Sequence, residues 1–348
     1  MTIETTTDVG EWSDWCAGVG VDDPYYRFDY LRLWEREEHG RVTGVRYDGE
    51  LGTVLYPVVR VPLDPLGTPS DWIDVRTAYD FGGPRAVGDD PDALLEAFSA
   101  PWSALMDDWN TVTEFARLHP LALPALPDDG TFHADNFVVD LTRDLERIRD
   151  AYDDPFGRNV RQARRHGLQA CIHSDPDAEV VDTFVRMYRE TMEDVGADPF
   201  YFFDPRTLRG VMALDEAQTT LVTHDADPVA AAITLDSSGD RFYFLGCSDR
   251  SALDLRPNNL LFDRVIAEGA DSSARRLHLG GGSEGLRRFK AQMATGTVPY
   301  HLLQRTHDGD KFERVREAAG VEADGDAGFP PYRDRLLELA DPPRDESP

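Results

Sequence analysis

The stretch from Arg256 to Met293, RPNNLLFDRVIAEGADSSARRLHLGGGSEGLRRFKAQM, constrains this chain more than any other. Pro257 suits the first turn of a helix, and Leu260, Leu261, Val265 and Ile266 recur at helical spacing down to a break around Gly269. Arg276 to Leu279 reads as a short strand that runs into Gly280, Gly281 and Gly282. Ser283 can then cap a second helix, Glu284 suits its positive end, and Leu286, Phe289 and Met293 form its apolar stripe. The spacing predicts one packed unit of helix, strand, glycine turn and helix.

Two features give this unit the character of a site. Three glycines at a strand-to-helix junction permit backbone shapes and close ligand approach that a β-carbon forbids, and a helix N-terminus just beyond is a natural anion seat. The second feature is Lys290. The chain holds two lysines, Lys290 and Lys311, against 34 arginines, so a generic positive charge here is an arginine. A lysine is a compact point charge that can lose its proton, which a guanidinium cannot. The alternative is a lysine that merely sits on a solvated helix face.

At 348 residues the chain has room for two domains, each with a sizeable core. Its formal charge of −29, with so little lysine, is the pattern of a halophilic, acidic protein kept soluble in a salt-rich cytoplasm. Three cysteines, Cys16, Cys171 and Cys247, are too few and too scattered for a disulfide framework or a zinc site, and no metal is implied. The start, MTIETTTDVGEW, lacks the basic and apolar regions of a signal peptide, and no run of about 18 apolar residues occurs. The expectation is a cytoplasmic protein with no membrane span. Charge is uneven: residues 1–141 carry 9 basic and 27 acidic side chains, residues 142–309 carry 21 and 27, and residues 310–348 carry 6 and 11. Basic residues gathered in the middle segment point to a bound anion rather than to DNA, although ion pairing on helix surfaces explains them as well.

Along the first segment, Val9 to Val19 and Tyr25 to Glu38 read as helices. Arg41 to Tyr47 and Leu51 to Val61 form a strand pair turning at Asp48 and Gly49. The glycine turn Tyr79-Asp80-Phe81-Gly82-Gly83-Pro84 follows, then a helix from Pro91 to Asp108 and strands at Thr111 to Leu118 and Phe132 to Leu141. The second segment repeats this order, with helices from Leu141 to His166, a strand to His173, two helices, three strands from Gln218 to Gly246, the opening unit and a last strand at Val298 to Arg305. A helix at Tyr332 to Ala340 and a loose proline-rich end close the chain. Matching order in two halves suggests a duplicated α/β fold with domains 1–141 and 142–309 and a tail 310–348.

Arg158, Arg161 and Arg165 share one face of a helix that Gly167 ends. They read as a phosphate clamp or as cations answering the helix dipole. Gly280, Gly282 and Gly285 also satisfy G-x-G-x-x-G between strand and helix. That motif opens a dinucleotide fold, whereas here a single strand follows it, so the dinucleotide reading is set aside.

The pattern RPNNLLFDRVI, strand, GGGSEGLRRFK resembles the C-terminal half of the FemABX-like proteins, a branch of the GNAT acyltransferases with two tandem GNAT-like domains. Gly82-Gly83-Pro84 resembles the aromatic-Gly-Gly-Pro turn of their first domain, and Arg158 to Gly167 their basic helix ending in glycine. The resemblance spans residues 25–305 and is strongest over 256–293. It implies two α/β domains, each a mixed, largely antiparallel sheet flanked by helices. It also implies transfer of an acyl or aminoacyl group to a small-molecule or peptide amine acceptor bound between the domains. The co-substrate would be acyl-CoA or aminoacyl-tRNA, with no tightly bound cofactor. The loop from Cys247 to Arg256 lacks the glycine-rich pyrophosphate pattern of ordinary GNAT enzymes, which leaves the donor open between the two.

Residue by residue, the resemblance places the family's Phe-Lys pair on Phe289 and Lys290 as the catalytic positions. Arg256, Asn258, Asn259, Gly281 and Gly282 fall on the donor side; Arg158, Arg161, Tyr79 and Gly82 fall on the acceptor side. A protein of the same fold that only binds a charged metabolite or peptide is the reading from another class, because no unambiguous general base stands in the sequence.

Overall fold

The computed structural model describes residues 2–237, 239–322 and 328–340. Packing divides them into two compact units, one from residues 1–133 with 300–348 and one from residues 134–299.

The first unit begins with β1 (Thr2–Thr6), α1 (Val9–Gly18) and α2 (Phe28–Leu33). The hairpin β2 (Arg41–Gly49) and β3 (Gly52–Pro62) follows, then β4 (Ile73–Arg76), β5 (Arg85–Gly88), α3 (Pro91–Asp108) and β6 (Thr111–Leu118). The second unit contains β7 (Thr131–Asp140), α4 (Leu145–Asp150), α5 (Asp154–Arg165), β8 (Gln169–His173), α6 (Ala178–Val195) and α7 (Pro205–Met212). It continues with β9 (Ala217–His224), β10 (Asp227–Ser237), β11 (Asp240–Ser248), α8 (Pro257–Asp271), β12 (Arg276–Gly280) and α9 (Glu284–Ala291). The chain then returns to the first unit through β13 (Gly296–Thr306), α10 (Gly309–Ala319) and α11 (Arg333–Ala340).

Each unit builds its sheet the same way. In the first, β1, β2, β3 and β4 are antiparallel neighbours, α3 crosses over, β6 lies parallel to β4, and β13 is antiparallel to β6. In the second, β8, β9, β10 and β11 are antiparallel neighbours, α8 crosses over, β12 lies parallel to β11, and β7 is antiparallel to β12. Both are the mixed, largely antiparallel α/β sheets expected from the sequence.

These pairings explain why the units do not end where the sequence boundaries at 141 and 309 were expected. All of β7 precedes residue 141 yet pairs with β12, and β13 precedes residue 309 yet pairs with β6. The described residues after 309 also pack into the first unit rather than forming a separate tail. Tyr332 is buried and donates to Asp74 at 3.0 Å, and Arg333 pairs with buried Glu38 at 3.1 Å. The proline-rich end expected from residue 341 onward lies outside the described residues.

The helix expected over Tyr25 to Glu38 is shorter. Arg27 adopts extended backbone between a 3-10 turn at Pro24–Tyr26 and α2. That break lets three tyrosines aim at the glycine turn: Tyr25 donates to Asp80, Tyr30 to the Tyr79 carbonyl and Tyr26 to the Gly83 carbonyl. Each unit has its own apolar core, around Val58, Phe98 and Trp102 in the first and around Phe156, Phe262 and Ile266 in the second.

Candidate active site

The second unit opens its sheet at one place. Strands β11 and β12 pair only from Asp240 to Phe242 and from Arg276 to His278, although β11 continues to Ser248 and β12 to Gly280. Beyond that register the two parallel strands no longer bond to each other, and a bulge at Leu279 turns the end of β12 toward the glycines. Parted strand ends expose backbone groups that a ligand can bond.

Lys290 stands at this opening. It is buried at 6% exposure, its Nζ donates to the Gly281 carbonyl at 2.7 Å, and the ammonium lies 5.4 Å from the centroid of the Tyr243 ring on β11. Its side chain therefore spans from the turn after β12 to β11. Burial pushes the Tyr243 phenol up, so the ring faces the lysine as a neutral aromatic. The sequence contains no local sign of Tyr243; only the pairing of β11 with β12 brings it here.

The glycines are required by geometry. Gly280 and Gly282 have φ of +74° and +121°, where a side chain is strained, and a β-carbon on Gly281 would come within 2.7 Å of the side-chain oxygen of buried Asn136 on β7. The turn is therefore shaped to bring its backbone close to whatever lies outside it. Arg287 fixes the following helix by donating to the Asp135 carbonyl at 2.7 Å and lying over the Phe137 ring.

Phe289 points elsewhere. Its ring packs between Phe156 of α5 and Phe262 of α8, with centroids at 5.9 and 5.5 Å. It anchors α9 to the core and so sets where Lys290 stands.

At the other side of the opening, Arg256 takes left-handed backbone, φ +67°, as the N-cap of α8, and the first turn of that helix has neither a side-chain cap nor an acidic residue. Arg256 Nε and Asn259 Nδ2 are both buried without a hydrogen-bond partner, Asn259 being only 5% exposed. Asn258 bonds Ser248 on β11 at 3.3 Å. Buried donors without acceptors cost about 1–3 kcal/mol each, and a helix N-terminus adds its own positive end. An anion placed there would answer all three. Among the described residues no group of His, Cys, Asp or Glu is arranged to hold a metal ion.

The arginines of α5 divide into two sets. Arg164 bonds Asp263, a carboxylate 1% exposed on α8, which also takes two bonds from Arg149 and one from Tyr152. This clamp ties α4 and α5 to α8. Arg158 and Arg161 are exposed on α5. Tyr79 and Gly82 belong to the first unit: Tyr79 stacks on Trp34 at 4.7 Å, and Gly82 bonds Arg117 and His119 through its backbone. Within the second unit the structure thus brings together Lys290, Gly281 and Gly282 at one edge of the opening and Arg256, Asn258 and Asn259 at the start of α8.

Residues 156–291 match the family model described as an acetyltransferase (GNAT) domain. Among solved structures, FemX is similar with a TM-score of 0.64 at 12% identity, over 90% of this chain and 99% of that one. The C-terminal domain of a putative lysylphosphatidylglycerol synthetase from Agrobacterium fabrum is similar with a TM-score of 0.55 at 14% identity, covering 90% and 97% of the two chains. L-PGS from Bacillus licheniformis gives 0.54 at 12%, with the same coverage. Comparison with curated proteins finds no match. Identities this low establish a shared fold. The chain has the GNAT-type acyltransferase fold in the two-unit, FemX-like form that its sequence resembles.

Proposed function

We propose, from a GNAT acetyltransferase domain at residues 156–291 and a fold shared with FemX, that this protein is an N-acyltransferase. The observation that carries the reading is Lys290, a rare lysine lodged where β11 and β12 part, in a unit whose α8 begins with buried donors that lack acceptors.

The reaction supported by this arrangement is attack of a neutral amine on an acyl carbonyl. The new C–N bond forms as the C–S bond of a thioester, or the C–O bond of an aminoacyl ester, breaks. The amine loses a proton and the leaving group gains one. The phosphate of the donor would sit at the start of α8, against Arg256 and Asn259. Lys290 would place its positive charge on the oxyanion that develops at the carbonyl, a contribution made mostly in the transition state. The amide N–H groups of Gly281 and Gly282 border the same space. Arg158 and Arg161, exposed on α5, would hold an anionic part of the acceptor. Acyl-CoA is the donor we favour, with aminoacyl-tRNA the alternative, and the cytoplasm is the compartment that supplies either. No described helix is long and apolar enough to cross a membrane.

Equilibrium binding of acetyl-CoA in a potassium-rich buffer tests the donor, and release of free thiol on adding amines tests transfer. Saturable binding that Asn259→Ala and Arg256→Gln weaken supports the site. A folded protein that binds neither acetyl-CoA nor aminoacyl-tRNA would contradict it.

A further inference from the structure

The second unit ends on a sheet edge that nothing guards. Strand β8 pairs with β9 on one side and, among the described residues, with no strand on the other. Proteins usually blunt such edges with charged side chains, proline or bulges. β8 has none of these: it reads Gln169, Ala170, Cys171, Ile172 and His173, and its register with β9 runs unbroken. In a chain where 29% of residues are Asp, Glu, Lys or Arg, the edge holds not one, so nothing on it repels a second acidic chain. The edge strand of the first unit, β1, differs in carrying exposed Glu4.

Alternation sorts the strand into two faces. Ala170 packs against the core that holds Phe156 and Phe262, so Gln169, Cys171 and His173 share the opposite face, where Cys171 is exposed.

The flanks of β8 decide which partner fits. Arg165 and His166 stand just before the strand at the end of α5, Asp175 and Asp177 stand just after it, and all four are exposed. Neither Arg165 nor Asp175 has an ion-pair partner among the described residues. The strand between them spans about 17 Å. An edge that is basic at its start and acidic at its end is complementary to itself when turned around.

We propose that β8 docks on the β8 of a second copy of this chain, antiparallel and centred on Cys171. Gln169 then meets His173, Ala170 meets Ile172, and Cys171 meets its own counterpart. Arg165 and His166 of each copy come beside Asp175 and Asp177 of the other, whereas a parallel pairing sets like charges together. The contact is the same on both copies, so it closes at a dimer. β9 and β10 lie between β8 and β11, so the opening beside Lys290 stays clear. An edge this short, with exposed ion pairs at its ends, makes a weak dimer, with a dissociation constant on the order of 10 µM or higher.

Sedimentation of the full chain from about 1 to 300 µM tests this, in a potassium-rich buffer that screens the repulsion between two chains of −29. The 39.0 kDa chain should shift toward twice its mass across that range. A short bismaleimide should join two copies through Cys171, since Cys16 and Cys247 are buried, and Cys171→Ser should not be joined. Cys171→Lys sets two ammoniums face to face and should weaken the dimer about tenfold. Arg165→Glu and Asp175→Arg each act twice across the two-fold axis and should each weaken it about tenfold. Combined, they should restore it, a recovery that damage to the fold would not show. A folded chain that stays monomeric throughout would leave the edge to some other protein and overturn the proposal. A dimer that Cys171→Lys leaves intact, or a double variant no tighter than either single one, would overturn it equally.

Discussion

The protein contains two glycine turns of similar composition, and they are held in opposite ways. In the first unit, Gly82 and Gly83 are buried and bonded from every side. Gly82 donates to the Arg117 carbonyl and accepts from His119 N–H, and Gly83 accepts from Tyr26. In the second unit, Gly281 is half-buried and Gly282 exposed, and Lys290 holds the turn through the Gly281 carbonyl. The first turn is a finished part of a core. The second keeps its backbone near open space and places a buried ammonium beside it. Glycine pairs look alike in sequence; whether their polar groups are already answered decides which one can serve a ligand.

The comparison can be broken most forcefully through the ion cluster behind the first turn. Burial alone would raise Glu38, but Arg76, Arg333 and Arg117 outweigh it and hold the carboxyl at about 2. Its stabilisation is complete above its ordinary pKa of 4.5 and is lost as pH falls from there through about 2, amounting to roughly 3 kcal/mol. Urea unfolding across that window should show the loss, and Glu38→Gln should flatten it. At the second turn, Lys290→Arg should lower acyl transfer about a hundredfold, equivalent to about 2.7 kcal/mol of barrier, with unchanged melting temperature. Retained turnover would leave the lysine as a clamp on Gly281 and nothing more.

Two smaller effects sharpen the contrast. Gly83→Ala puts a β-carbon 2.8 Å from Leu118 at φ +108° and should cost about 2 kcal/mol of stability without changing donor affinity. Tyr26→Phe leaves the Gly83 carbonyl short of its buried donor and should cost about 1 kcal/mol in the same assay. A change in acetyl-CoA affinity in either variant would show that the first turn takes part in the site.

Much of the fold was legible because local signals agreed with it. Asp90 caps α3 ahead of Pro91, Gly196 ends α6 in left-handed backbone, and the expected hairpin forms, although it turns at Glu50-Leu51 with Asp48 and Gly49 still paired to β3. Elements that depend on distant partners were not legible. Strand β4 is only Ile73-Asp74-Val75-Arg76, and its charged residues are buried because Thr113, Tyr332 and Glu38 await them. Strand β1 is polar and gains its place by pairing with β2. Helix α10 did carry a signal, Asp308 before it and Gly320 after it. At the site, Lys290 stood out by its scarcity, and Gly280 to Gly282 by their run. Tyr243, Asn136 and Asp263 did not, since each matters through a neighbour far away in the chain.

The exchange of β7 and β13 sets an order on synthesis. While the chain emerges from the ribosome, β6 has β4 on one side and bare backbone on the other until residues 301–306 arrive, after the whole second unit has been made. An unpaired strand edge is an invitation to aggregation. The nascent protein therefore carries an open edge through most of its translation, and a fragment ending at residue 141 would carry it permanently. The second unit, by contrast, has every strand of its sheet once Gly280 is out, and can close first.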